Sequence, residues 1–263
     1  MMRRAFLALF ALASFAVAAQ LDSSLFEADR LFNAGNDLAA TDFHAATENW
    51  RKAAEILENA VDSGQLKNGP LFYNLGNIYF RLGDMGKAIL NYKKAEYYMP
   101  GDGNLIRNLA IARRTRKDKV DTQESTRVLK TVFFWHYDFS IFTREKIFLI
   151  AFSLLFIMLM AHLRFRNMAL AWLIVLSAIT VIVSGVSICI TEYDISRHPA
   201  GVILSESVVA RTGYSESYEK SFAEPLHAGT EFRLLGTRAD WLEIQLSDGN
   251  TAWIPAKDAG IVN

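Results

Sequence analysis

Two long apolar runs dominate the pattern of the chain. Residues 147–163 are apolar apart from Ser153 and His162, and residues 168–190 carry no charge. Only Arg164, Phe165, Arg166 and Asn167 separate them. As a helix the second run would extend about 34 Å, more than a hydrocarbon core of roughly 30 Å, and the first sits at the lower limit for a span. Neither run has a polar face to turn toward water. The pattern predicts a transmembrane hairpin with spans at 147–163 and 168–190 and a loop at 164–167. The regions before and after it therefore lie on the same side of the membrane.

Upstream, the apolar period is helical. In the 34-residue window Gly69 to Asp102, Phe72, Leu75, Gly76 and Tyr79 share one face of a helix. A Gly83-Asp84 turn follows, then Ala88, Tyr92 and Ala95 on a second helix, and Pro100 as a stop. Asn74-Leu75-Gly76 returns 34 residues later as Asn108-Leu109-Ala110, which predicts a further helix from about Asn104. Ser24 to Gly35 and Phe43 to Asp62 read as two earlier helices, with Ala46, Trp50 and Ala53 repeating the small-large-small face.

Downstream of the hairpin the period changes to two. Val202-Ile203-Leu204, Val208-Val209-Ala210, Glu231 to Leu235, Trp241 to Leu246 and Thr251 to Ile254 are short strand-like runs separated by turn residues. Leu242, Ile244 and Leu246 would share one face, and Asp248-Gly249 fits a tight hairpin turn. Between the two regions, Lys117 to Arg127 is polar without period and reads as a linker. Val128 to Phe142 packs five aromatic rings into Phe133 to Phe139 and reads as an interfacial segment. His136 and Asp138 belong to that aromatic belt rather than to an acid/base pair.

The first residues have the three-part order of a secretory signal: Arg3-Arg4, an apolar run from Ala5 to about Val17, and Ala16-Val17-Ala18-Ala19 before Gln20. Cleavage after Ala18 or Ala19 would export the helical region, 20–116. The loop with Arg164 and Arg166 would then face the cytoplasm, as the positive-inside rule requires. The N- and C-terminal domains would then both lie outside the cytoplasm; in a bacterium that is the periplasmic or outer face of the inner (cytoplasmic) membrane.

The 263 residues carry 28 basic and 28 acidic side chains, so net charge points to no class of partner, nucleic acid included. Locally, Arg107 to Lys130 holds eight Lys/Arg against three acids, which reads as a polar cap on the helical stack. Cys189 alone forms neither an internal disulfide nor a CxxC pair, and the five His are scattered without ligand spacing. No Gly-rich phosphate loop and no Ser-centred elbow occurs. The reading is of a non-enzyme without catalytic, metal or cofactor sites. Ser177, Thr180, Ser184, Gly185 and Ser187 would line a contact between the two spans.

The 69–102 window resembles the tetratricopeptide repeat, with Phe72 for the usual Trp and Tyr92 for the usual Phe. That resemblance implies a stack that binds extended peptides or partner helices, with Tyr73, Asn74, Asn77, Arg81, Arg107 and Asn108 as contact residues. An alternative stands beside it, in which Asn74 and Asn108 only tie neighbouring helices together. The region 200–263 is similar to the bacterial SH3-like domain through Val209 to Gly213, Leu226 to Thr230, Asp240 to Ile244 and Asp248 to Ile254, with Ala252 where a Gly is usual. Such domains bind cell-wall peptides or proteins, and Arg211, Trp241 and Trp253 are the surface candidates, core packing being the alternative. The order of parts resembles the BatE-like members of the Bacteroides-aerotolerance (Bat) operon family. The expected fold is thus a multidomain membrane protein: an all-α tetratricopeptide stack, two transmembrane helices and a small all-β SH3-like barrel. The family context implies a membrane-anchored scaffold or adaptor, with von Willebrand factor A domain proteins as membrane partners and a MoxR-type ATPase in the cytoplasm. A cell-wall-peptide sensor acting through the SH3-like domain is the alternative.

Overall fold

The computed structural model describes residues 22–64, 66–118 and 133–262. The expected signal at 1–19, residues 119–127 of the expected linker and residues 128–132 of the expected interfacial segment lie outside the described residues. Eight helices and seven strands occur among the described residues. They are α1 (residues 22–38), α2 (Phe43–Asp62), α3 (Gly69–Leu82), α4 (Met85–Tyr98), α5 (Gly103–Thr115), the single turn α6 (Phe134–Tyr137), α7 (Ile141–Phe165) and α8 (Met168–Arg197). The strands are β1 (Ala200–Ile203), β2 (Ser207–Val208), β3 (Leu226–His227), β4 (Glu231–Arg238), β5 (Trp241–Leu246), β6 (Thr251–Pro255) and β7 (Ala259–Ile261).

The helices α2 to α5 each start where a side chain satisfies free N–H groups. Asp42 caps α2, Asn68 caps α3 with Pro70 in the first turn, Asp84 caps α4 and Asp102 caps α5. Gly83, at φ 79°, supplies the left-handed residue that ends α3 and lets α4 turn back along it. The two helices meet through the Gly76–Tyr92 contact, where a Cβ on Gly76 would stand 2.4 Å from the Tyr92 ring. The Trp50 ring fills the equivalent gap beside Gly35. α3 and α5 begin at Gly69 and Gly103, 34 residues apart, in keeping with the period of the sequence.

The downstream part is a five-stranded antiparallel sheet in the order β6-β5-β4-β1-β7, with β2 and β3 paired beside it. Leu242, Ile244 and Leu246 alternate inward along β5 as the period predicts, and Gly249 turns the β5–β6 hairpin at φ 90°. Two strands are absent from the sequence reading. β3 falls in a stretch that reads as a turn, and the three-residue β7 is too short to show alternation.

The helical layer and the sheet are one packed body. Val202 belongs to the core of the helical layer, with Leu204 and Val262 against it. α4 lies so close to β1 that a Cβ on Gly86 would stand 2.9 Å from the Ile203 carbonyl oxygen. Here the sequence reading is corrected. The basic stretch at the end of α5 is not a free polar cap, and Lys117 and Asp118 are not linker. Arg113 donates twice to the Glu231 carboxylate, Nε to Oε1 at 2.7 Å and Nη2 to Oε2 at 2.6 Å. Arg116 adds a third bond, at 2.9 Å. Asp118 accepts from the His227 N–H, from His227 Nδ1 and from the Thr230 hydroxyl, at 2.7, 2.7 and 2.6 Å. Lys117 Nζ donates to His227 Nε2 at 2.8 Å, which places the ring proton on Nδ1.

α7 and α8 are long and apolar enough to cross a membrane, at about 37 and 45 Å. Large apolar side chains point away from the protein along both, among them Phe156 (63% exposed), Leu163 (76%) and Ile182 (64%). Their seam is built from small residues: Ser177 Oγ donates to the Ala151 carbonyl at 2.8 Å, and Phe148 packs over Gly185. Both helices continue beyond the apolar runs, and α7 begins as early as Ile141 because Ser140 caps it and Arg144 is packed inside rather than solvated. The Tyr98 and Phe142 rings stack at 5.6 Å, and Arg233 pairs with Asp194 at 3.3 Å, so α4 and the sheet both rest on the hairpin.

Candidate functional site

The helical layer carries a cleft of about 330 Å³ between α1, α3, α4 and α5, lined by Phe32, Asn36, Asn77, Phe80, Arg81, Tyr92, Asn108 and Ile111. Its floor is a hydrogen-bonded network. The Tyr92 hydroxyl donates to Asn77 Oδ1 at 2.8 Å, and Asn108 Nδ2 donates to the same oxygen at 2.9 Å and to the Tyr73 hydroxyl at 3.0 Å. Burial, with Tyr73 beside it, pushes the Tyr92 phenol well above its ordinary value, against the pull of Asn108 and Arg81. Tyr92 is therefore a hydroxyl donor at any physiological pH.

This arrangement divides the six expected contact residues. Asn77, Arg81 and Asn108 line one cleft, and Tyr73 is bonded to Asn108. Asn108 ties α5 to α3, since both its amide hydrogens are committed to Tyr73 and Asn77. Asn77 has its oxygen filled by two donors, so its NH2 group is what it offers a ligand. Asn74 is exposed and belongs to an adjoining cleft with Asp29 and Leu71, which meets the first at Phe32. Arg107 is apart from both, exposed and donating to Asn104 Oδ1 at 2.6 Å. The sequence reading missed Phe32 and Asn36. Asn36 Oδ1 is buried without a hydrogen-bond partner and is an acceptor at the cleft wall. Their spacing of four on α1 is the signal that could have found them.

The cleft offers both donors and acceptors beside apolar surface. It combines an unused acceptor (Asn36), an amide donor (Asn77), a guanidinium (Arg81) and the apolar sides of Phe32, Phe80 and Ile111. These groups suit an extended peptide, whose carbonyls and N–H groups need both kinds of partner. No proton-transfer pair or activated nucleophile lines it.

On the sheet, Trp241 and Trp253 are half-buried on the face of β5 and β6 opposite the Leu242, Ile244 and Leu246 core. Trp253 packs edge-on to Tyr214 at 5.7 Å, and Arg238 lies over the Tyr214 ring at 3.8 Å. Arg211 Nη1 donates to the Tyr218 carbonyl at 2.9 Å, holding the 212–220 loop against β6. Tyr214 and Arg238, outside the expected set, thus complete an aromatic and cationic patch around Trp253.

No protein-family model matches the chain, and a search of curated proteins finds no significant relative.

Proposed function

We propose that the chain is a membrane-anchored scaffold of the Bat aerotolerance or envelope-stress type. A tetratricopeptide-like layer and an SH3-like barrel are held on the outer side of the cytoplasmic membrane to assemble other membrane proteins, with von Willebrand factor A domain proteins as the expected partners. The observation that carries this reading is the mixed donor–acceptor cleft at Asn36, Asn77 and Arg81, on a body joined to two helices long and apolar enough to cross a membrane. Because the helical layer is locked to the sheet and the sheet rests on α8, a peptide bound in the cleft is held at a fixed position relative to the bilayer. That is a property an assembly platform needs and a flexibly tethered module lacks.

The test is site-specific photo-crosslinking in living cells, with the crosslinking amino acid placed at Arg81 and, as control, at Lys257, in the turn between β6 and β7. Membrane proteins with von Willebrand factor A domains captured from Arg81 and not from Lys257 support the reading. Capture of no protein from Arg81 overturns it.

The Tyr214–Trp253–Arg238 patch favours the second reading, a cell-wall-peptide sensor. Its test is pelleting of the detergent-solubilised full chain with purified cell wall. Pelleting lost on Trp253→Ala would transfer the function to this surface.

A further inference from the structure

Arg144, in the first turn of α7, is 5% exposed and pairs with no carboxylate among the described residues. All its hydrogen bonds come from Nη1, to the Ser187 carbonyl and hydroxyl at 3.1 and 2.8 Å, the Thr191 hydroxyl at 2.9 Å and His136 Nδ1 at 3.1 Å. Every one of these acceptors is neutral: His136 Nδ1 accepts a hydrogen bond from Arg144, and burial together with the Arg144 charge lowers the His136 pKa. The Nε of Arg144 is buried and has no partner. A buried guanidinium is costly unless an anion completes it.

Arg144 lines a cleft of about 830 Å³ at the level where α7 and α8 leave the apolar zone. The other charges on that cleft are already matched. Glu96 is held by Lys93, and Asp194 pairs with Arg233 at 3.3 Å. Glu145 and Glu192 are exposed and do not line it. The cleft is therefore lined by one cation without a matching carboxylate, whose Nε and Nη2 make no hydrogen bond among the described residues; phosphate oxygens reaching that edge would supply the missing acceptors.

A second hollow, about 510 Å³ and almost wholly apolar, adjoins it and shares His136, Tyr137 and Ile190. It runs along α8 from Ile190 back to Ile182, about 12 Å, under the Phe133 and Trp135 rings. Ile182 lies deeper along the apolar helix than Ile190, so the apolar hollow leads inward from the polar one. A cation at the headgroup level continuous with a greasy slot toward the bilayer interior matches one class of molecule.

We propose that this is a binding site for an anionic glycerophospholipid, its phosphate on Arg144 and one acyl chain along Ile182, Val186 and Ile190. The proposal rests on the reading that α7 and α8 span a membrane. Bound there, the lipid completes the junction between the hairpin and the layers resting on it, since Tyr97 of α4 and Arg233 of β4 also line the cleft.

The test is native mass spectrometry of the full chain, purified in mild detergent and then titrated with phosphatidylglycerol, phosphatidylcholine or inorganic phosphate. The expected result is one phosphatidylglycerol retained per chain, weakened about tenfold or more by Arg144→Gln. Arg144→Lys should recover part of it, and Val186→Trp, which fills the slot and leaves Arg144 in place, should weaken it as well. Equal retention by Arg144→Gln, or equal affinity for phosphatidylcholine, overturns the proposal. Displacement by millimolar inorganic phosphate would show a free-anion site and overturn the lipid assignment. If Arg144→Gln does not fold, Val186→Trp alone decides, and its wild-type retention overturns the proposal. Extraction of the protein by alkaline carbonate would instead defeat the membrane reading; a protein that resists extraction but holds no lipid defeats only the lipid site.

Discussion

Glu231→Gln tests how firmly the sheet is locked to the helical layer. The substitution keeps the shape and removes the charge that Arg113 and Arg116 share. The Glu231 side chain is 23% exposed, Arg116 7% and Arg113 34%, so the cluster lies between an exposed pair, worth about 0–1 kcal/mol, and a buried one, whose breakage costs about 3–5 kcal/mol. Arg116 keeps its bond to the Gly229 carbonyl, which softens the loss. A cost of about 2 kcal/mol follows, about 30-fold in the docking equilibrium. Hydrogen exchange on the detergent-solubilised full chain reads it directly. Amides in 103–118 and 226–234 should exchange about 30-fold faster in the variant, while the β5–β6 hairpin, 241–255, stays protected as an internal control. A double-mutant cycle with Arg113→Met should show coupling of about 1 kcal/mol or more. Unchanged exchange at the interface, or strict additivity in the cycle, would refute the reasoning that these charges hold the two layers together.

The same lock is acid-sensitive. Burial pushes the Glu231 carboxyl up, but Arg113 foremost, with Lys93 and Arg116, holds it below its ordinary value; Asp118 is likewise held down by Thr230 and His227 against burial. Both folded-state values are depressed, so this stability is complete at neutral pH and is lost as pH falls below the ordinary carboxylate range, which an acid titration followed by interface hydrogen exchange will show. Gly76→Ala drives a Cβ into the fully packed Tyr92 ring and should cost about 1–3 kcal/mol, read as a lowered unfolding temperature; a neutral result would refute the close α3–α4 approach. In a Cys189→Ser background, Asp248→Cys should react with a membrane-impermeant maleimide on cells with a permeable outer layer, and Asn167→Cys should not. The reverse labelling would invert the proposed topology.

The parts of this fold were legible because each element carries its own period. The helical faces around Leu75 and Tyr79, the alternation of Leu242, Ile244 and Leu246, and the Asp248-Gly249 turn are all local patterns. The joints between parts were not legible. Arg113 and Glu231 stand 118 residues apart, and nothing in a basic stretch says whether it will meet water or a carboxylate. Val202 alternates like a barrel-core residue yet is buried against the helical layer, because a strand at that place serves two faces. Arg144 reads as a cation flanking a span, which would ordinarily reach for headgroups; only the fold shows it turned inward onto Ser187 and Thr191. In the candidate cleft, Asn77, Arg81 and Asn108 were named through the repeat resemblance, whereas Phe32 and Asn36 come from α1, where no motif marks them.

The measurement that bears most directly on the account is co-purification from crosslinked membranes of the intact protein and of a variant carrying Asn77→Asp with Arg81→Glu. Arg81 is exposed, and Asn77→Asp keeps the oxygen that accepts from Tyr92 and Asn108 while removing the NH2 group, so the variant should remain folded and membrane-bound. The account predicts that membrane proteins with von Willebrand factor A domains accompany the intact chain and are lost from the variant. An unchanged set of partners, or cell-wall fragments alone with both proteins, would contradict it.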